Sequence, residues 1–228
     1  MYLSKEALDV INSLENDDFE ILQSKHKKYS EEYNKKLKFI YNFSQNSENV
    51  VDGLYYIPNY LTNDEIMLVK EKIKNEIKFS PISNSYNSRK VAHFGYYYSY
   101  NRSGLKEAPA IPIYLFDLVS PGRINSSLKE NIISTNFDQL IINEYKPGQK
   151  IAYHIDHVSQ FGPIIACISV GSEIYMNFKY QDIEKKIKIE EGSLYIMSGD
   201  ARYKWMHSLT NSTNDNRYSL TFRTVLSK

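Results

Sequence analysis

The feature that most constrains the fold is a rhythm of short β-prone runs filling the second half of the chain. FDQLIINEY, KIAYHIDH, PIIACISVG, EIYMNFKY, KKIKIEEG, SLYIMSGD, YKWMHSL and RYSLTFRTVL follow one another from Phe137, with turn residues between them. Turn signals recurring every ~8–12 residues predict an all-β sandwich or barrel. The front of the chain reads differently. Residues 1–49 are polar and free of glycine and proline, and Ala7, Val10, Ile11 and Leu14 recur at helical spacing. They predict one or two amphipathic helices, an extension that packs on the main domain or on a protein partner. His26 falls in this charged segment and reads as a solvated side chain. After Val51 come a short strand and a helix opened by Thr62 and Glu65, the spacing of a capping box, with Ile66, Val69, Ile73 and Ile77 as its apolar stripe. A second helical stretch over PIYLFDLVSPGRINSSLKENII is expected to be interrupted at Pro121-Gly122. The expected organisation is a helical extension over 1–49 and a mainly β domain with flanking helices over 50–228.

Composition narrows the function classes. A chain of 228 residues builds one sizeable core, with or without an appendage. Its net charge of +1 offers no global attraction to nucleic acid, so any such binding needs a local basic patch. Twenty tyrosines must either pack in a core with satisfied hydroxyls or line a surface for flat ligands. Cys167 is the only cysteine, which excludes an internal disulfide and a cysteine-rich zinc site; within IIACISV it reads as a small buried hydrophobe. No segment reaches the ~18 apolar residues of a membrane span, so the expected setting is intracellular, cytoplasmic or nuclear.

Chemistry concentrates in NEYKPGQKIAYHIDHVSQFGP, residues 143–163. His154 and Asp156 stand two apart, and on a strand such side chains leave one face ~7 Å apart along the chain. An imidazole and a carboxylate aimed at one point can share a metal, and His207 in YKWMHSL is the candidate third ligand. Two histidines and one carboxylate on one face of an iron leave three positions open, as in non-haem Fe(II) oxygenases. A structural His-x-Asp is the alternative. In RYSLTFR, Arg217 and Arg223 are six apart, so one strand presents both guanidiniums on one face. Cations in an apolar β run call for an anion, unless the strand is an edge carrying two solvated arginines. Asn143 and Tyr145, again two apart, offer hydrogen-bond donors to a bound carboxylate.

The order Asn-x-Tyr-x-x-Gly, His-x-Asp, a distant His and Arg-x5-Arg resembles the AlkB family of Fe(II)/2-oxoglutarate dioxygenases. The matching positions are Asn143, Tyr145, Gly148, His154, Asp156, His207, Arg217 and Arg223, and EGSLYIMSGDARYKWMH is similar to the family's strand, Gly-Glu/Asp-x-Arg turn and strand. The likeness covers residues 51–226. It implies a double-stranded β-helix, or jelly-roll, with Fe(II) held by His154, Asp156 and His207, and with 2-oxoglutarate and O2 as co-substrates. It implies that Arg217, Asn143 and Tyr145 hold the distal carboxylate and that Arg223 lies near the other end. The products would be succinate, CO2 and a hydroxylated carbon, which is lost as an aldehyde where it is an N-alkyl group.

For the substrate, the sequence SRKVAHFGYYYSYNRSGLK alternates Phe94, Tyr96, Tyr98 and Tyr100 on the expected face of one strand, flanked by Arg89, Lys90, Arg102 and Lys106. Aromatic faces stack on bases and cations track phosphates; a Tyr-rich hairpin packed on the core is the alternative. In the resembled family the corresponding segment is a nucleotide-recognition lid. His93 is a further candidate to touch substrate, or else caps a strand. Repair demethylases of this family carry an acidic residue two places after the metal aspartate, where this chain has Val158 after His157. HIDHVSQFGPIIACISVGSEIYMNF looks closer to the tRNA-modifying branch. The expectation is therefore oxidation of an alkylated or modified base in nucleic acid, RNA favoured over DNA, as RNA modification or oxidative dealkylation. A protein or small-molecule hydroxylase on the same scaffold is the alternative.

Overall fold

The computed structural model describes residues 51–85, 88–98 and 106–226. The helical extension expected over 1–49, His26, Tyr100 and Arg102 lie outside the described residues. The chain runs β1 (Leu54–Ile57), α1 (Asn63–Glu76), β2 (Ser80–Pro81), β3 (Lys90–Phe94), β4 (Tyr96–Tyr97), β5 (Lys106–Glu107), α2 (Ile113–Phe116), a 3-10 turn (Asp117–Val119) and α3 (Pro121–Leu128). It continues through β6 (Gln139–Tyr145), β7 (Lys150–His154), β8 (Phe161–Gly171), β9 (Ile174–Tyr180), β10 (Ile183–Ile189), β11 (Leu194–Met197), α4 (Gly199–Tyr203), β12 (Met206–Thr210) and β13 (Arg217–Val225).

The helices start where the sequence says. Thr62 Oγ1 accepts from the Glu65 amide at 3.2 Å, and the Glu65 carboxylate accepts from the Thr62 amide at 2.9 Å, closing the capping box of α1. Val69 and Ile73 are its buried residues. The helical stretch is interrupted just before Pro121, at Ser120 with ψ 141°, and Pro121 then opens α3, where its missing amide hydrogen and fixed φ cost nothing. Arg123 of α3 grips Glu65 through two nitrogens at 2.7 and 2.9 Å, and this hydrogen-bonded cation holds the Glu65 carboxyl down to about 2.

Seven strands form one sheet in the order β1-β11-β8-β13-β6-β3-β2, and four form another in the order β10-β9-β12-β7. Alternation gives the larger sheet two buried faces. On one, Leu140, Ile142, Ala166, Ile168, Leu194, Ile196, Leu220 and Phe222 pack with Val69, Ile73, Leu115, Ile124 and Leu128 of the helical layer. On the other, Tyr145, Ile165, Cys167, Tyr195 and Met197 pack with Met176, Phe178, Ile187 and Ile189 of the smaller sheet. The result is a mixed β-sheet and helix fold. β13 lies between β8 and β6, so its two arginines are not on an edge strand. Among the described residues no helix is long and apolar enough to cross a membrane.

The aromatic segment departs from expectation. Gly95 has φ +73°, and a Cβ there would lie 1.8 Å from the Asp138 carbonyl oxygen, so the chain turns sharply between β3 and β4. One continuous face shared by Phe94, Tyr96 and Tyr98 is therefore not formed. β4 instead pairs with β5 as a short antiparallel hairpin.

Candidate active site

Register brings the distant histidine home. β12 lies between β9 and β7, and His207 stands directly opposite His154 in the β12–β7 ladder. Their rings are 4.2 Å apart at the centroids. Asp156 is not on the strand, because β7 ends at His154; it lies in the following loop, with its carboxylate 3.8 Å from His154 Nε2. One donor atom from each of His154, Asp156 and His207 falls within 4.8 Å of the other two. The donor set is two imidazoles and a carboxylate, which suits a divalent transition metal such as iron.

The protonation states agree with that use. His154 Nδ1 lies 2.9 Å from the Ala152 carbonyl, which can only accept, so Nδ1 is the donor there and Nε2 is the nitrogen directed at Asp156 and a metal. Burial, and then the neighbouring His154, pushes His207 down to about 3, so its imidazole is neutral at physiological pH. Burial alone would raise the Asp156 carboxyl, but the Arg223 guanidinium first, then the neighbouring imidazoles and Arg202, outweigh it and hold the group well below the carboxylate range.

Two arginines hold the aspartate loop. Arg223 donates through one terminal nitrogen to Asp156 Oδ1 at 3.0 Å and through the other to Gln139 Oε1 at 3.3 Å, and it stacks 4.7 Å over the Phe161 ring. Arg202 is 1% exposed and meets four backbone carbonyls: Asp156 at 2.7 Å, His157 at 3.1 Å, and Phe161 and Gly162 at 3.2 Å. The Gly-Asp-Ala-Arg segment is thus a single-turn helix, α4, whose arginine braces the loop from within. The sequence flagged this motif as a turn before His207 but gave no sign of what its arginine touches. Gln139 was missed altogether. Fully buried, it also donates from Nε2 to the Tyr96 carbonyl at 3.4 Å, connecting the hairpin to Arg223.

Arg217 differs from both. Its guanidinium is 0% exposed, and none of its three nitrogens meets a hydrogen-bond acceptor among the described residues. The Tyr145 ring centroid is 5.7 Å away. Register places Tyr145 opposite Arg217 and Asn143 opposite Ser219, so Asn143, Tyr145 and Arg217 share the face that carries the metal triad's neighbour Arg223. A buried cation without an anion is expensive, and five unanswered donors match a carboxylate. Cys167 is buried as expected, but in polar company: its sulfur lies 3.0 Å from Ser219 Oγ. Asn143 is already engaged, its Oδ1 accepting from Arg89 Nε at 3.1 Å.

The candidate substrate residues divide. His93 lies on the active-site side of β3, its ring 5.6 Å from Tyr97, and burial and then the Arg223 charge lower its pKa. Tyr98 stacks 5.7 Å from Phe161, the ring under Arg223, which places it beside the triad. Tyr96 contributes its carbonyl to Gln139. Phe94, expected to face the substrate, packs instead against the helix-side core, because its partner in the ladder is Leu140 on that face.

Comparison with known proteins fits this geometry. The profile of the 2OG-Fe(II) oxygenase superfamily matches residues 53–223. The chain is 32% identical over 161 residues to tRNA (carboxymethyluridine(34)-5-O)-methyltransferase ALKBH8 of Macaca fascicularis, covering 69% of this chain and 24% of that protein. It is 32% identical over 195 residues to protein L905 of Acanthamoeba polyphaga mimivirus, covering 77% of this chain and 86% of that one. It thus spans about a quarter of the length of the ALKBH8 relatives it matches. The solved structure of OsALKBH1 superposes with a TM-score of 0.63 at 16% identity, over 77% of this chain and 98% of that chain.

Proposed function

The chain belongs to the 2OG-Fe(II) oxygenase superfamily and is a dioxygenase dependent on Fe(II) and 2-oxoglutarate, and from that premise we propose that it oxidises an alkyl or other modifying group on a nucleic-acid base, with RNA as the preferred substrate. Two features support this reading: the aromatic hairpin rooted beside the triad through Tyr98, Phe161 and Gln139, and the likeness to ALKBH8 proteins whose name places them on a tRNA uridine. Stacking on aromatic rings is how a base taken out of its helix is held. The hairpin brings Tyr97, 42% exposed, to the same side as His93.

In this reading His154, Asp156 and His207 hold the iron, which when bound supplies the oxidising chemistry from O2 and 2-oxoglutarate. Arg217 and Tyr145 receive the distal carboxylate of the co-substrate, and Arg223 keeps Asp156 ionised and oriented while facing the opposite end. His93, Tyr96 and Tyr98 position the substrate base. The two facing sheets are the double-stranded β-helix of this superfamily, residues 50–228 are the catalytic domain, and residues 1–49 are an appended segment.

The test is incubation of the full chain with Fe(II), 2-oxoglutarate and a panel of modified tRNA, mRNA and DNA, followed by nucleoside mass spectrometry. One modified nucleoside should gain an oxygen or lose an alkyl group, together with succinate release, and both signals should vanish in His154→Ala. Succinate release unaffected by any nucleic acid, with every nucleoside unchanged, would rule the proposal out.

A further inference from the structure

Sequence reasoning places Arg89 with the substrate, as a cation beside an aromatic lid. The structure puts it somewhere else. Its Nε reaches Asn143 Oδ1 at 3.1 Å, on the wall of β6 next to Tyr145 and opposite Ser219. Its approach is fixed from behind: Gln149 Nε2 donates to the Ser88 carbonyl at 3.1 Å, and Gln149 Oε1 in turn accepts from the Lys146 amide at 2.8 Å. Arg89 therefore enters from a braced segment rather than from a loose arm.

A guanidinium has donors and no acceptor. The atom of Asn143 that faces Arg89 must be the oxygen, and the amide nitrogen is turned the other way. Without that partner the amide can present either end to its neighbours. One end is a donor suited to a carboxylate; the other is a carbonyl oxygen, which repels a dianion. Resting on the dioxygenase reading above, we propose that Arg89 is a positioning residue for the co-substrate: it locks the Asn143 amide with its N–H donors toward the 2-oxoglutarate site. The lid segment and the co-substrate wall then share one hydrogen bond, so whatever repositions residues 88–94 also alters how well the diacid is held.

The experiment measures binding rather than turnover. Full-length protein loaded with Mn(II) is titrated with 2-oxoglutarate in a calorimeter without oxygen, as wild type, Arg89→Met, Arg89→Lys, Asn143→Ala and the double variant Arg89→Met/Asn143→Ala. Arg89→Met should weaken binding roughly tenfold, the scale of one hydrogen bond to a charged group. Arg89→Lys, which keeps a donor, should recover part of the loss, and it stands in if the methionine variant folds poorly. Because Arg89 acts through the amide, the double variant should bind no worse than Asn143→Ala alone. Salt-dependent binding of single-stranded RNA should be unchanged in Arg89→Met. Wild-type affinity for 2-oxoglutarate in Arg89→Met together with a shallower salt dependence for RNA would return Arg89 to a phosphate-contact role and overturn the proposal. Additive losses in the double variant would overturn it as well. Failure of the underlying reading looks different: the wild type itself would then show no Mn(II)-dependent binding of 2-oxoglutarate.

Discussion

Replacing Arg217 by methionine should make the ligand-free protein more stable while removing its ability to bind the co-substrate. The guanidinium is fully buried and none of its nitrogens meets an acceptor among the described residues, where the Tyr145 ring 5.7 Å away offers only a weak counterweight to its desolvation. Exchanging buried ionic groups for packed apolar ones is often neutral or stabilising by about 1–4 kcal/mol. Taking about 1–2 kcal/mol, and about 2–4 °C per kcal/mol for a chain of this size, the ligand-free Tm should rise by about 2–8 °C. In the role proposed for Arg217, the same change removes the cation that pairs with the distal carboxylate, and truncating a desolvated charge pair costs about 2–5 kcal/mol of binding, or roughly 30- to several-thousand-fold. Wild type with Mn(II) and 2-oxoglutarate at a hundred times Kd should gain about 2.7 kcal/mol, and the variant should gain almost none. Thermal melts of both proteins, with and without the diacid and under nitrogen, read all four values. A ligand-free variant that melts lower than wild type, or one that 2-oxoglutarate stabilises as much as wild type, would refute the reasoning.

Arg202→Met should destabilise where Arg217→Met does not, because four buried carbonyls lose their donor; a loss of about 3–5 kcal/mol in denaturant melts and weaker Co(II) binding by titration are expected. Glu65→Gln should cost about 1 kcal/mol at pH 7, a value reduced for the 28% of the side chain that remains exposed. Since the folded carboxyl is depressed to about 2 from 4.5, the difference from wild type should be full above pH 4.5 and shrink as the pH falls toward 2, which urea melts across that range would show. Gly95→Ala should disturb the hairpin root, because the added Cβ would overlap the Asp138 carbonyl at a φ of +73°; faster proteolysis within residues 95–108 at unchanged overall Tm is the expected readout.

The sequence carried the site better than it carried the lid. Periodicity located every strand from β6 onward, and the even spacing of Arg217 and Arg223 correctly put both on one face of β13, because strand geometry is local. The ladder that sets His207 opposite His154 joins residues over fifty positions apart, and no local pattern encodes such a register. Asp156 was assigned the right neighbours for an incomplete reason: it reaches the triad from a loop held by Arg202 and Arg223, not from a strand face. The aromatic alternation through Phe94, Tyr96 and Tyr98 misled because one glycine at positive φ ends the alternation after Phe94, while the β3–β6 register points Phe94 to the helix-side core. Gln139 could not have been singled out, since a buried glutamine between a lid carbonyl and an arginine has no signature of its own.

β13 has one further consequence. From Arg217 to Arg223 it runs without a register shift, bonded to β6 on one side and β8 on the other, so the backbone separation of the two guanidiniums is fixed at roughly 20 Å by the rise of six residues. In the co-substrate role proposed for this strand, both arginines would reach the diacid only by converging side chains, from backbone anchors fixed in mid-sheet. Diacids with one carbon more or fewer must be accommodated by side-chain torsions alone, and discrimination between them should persist whatever position the hairpin takes.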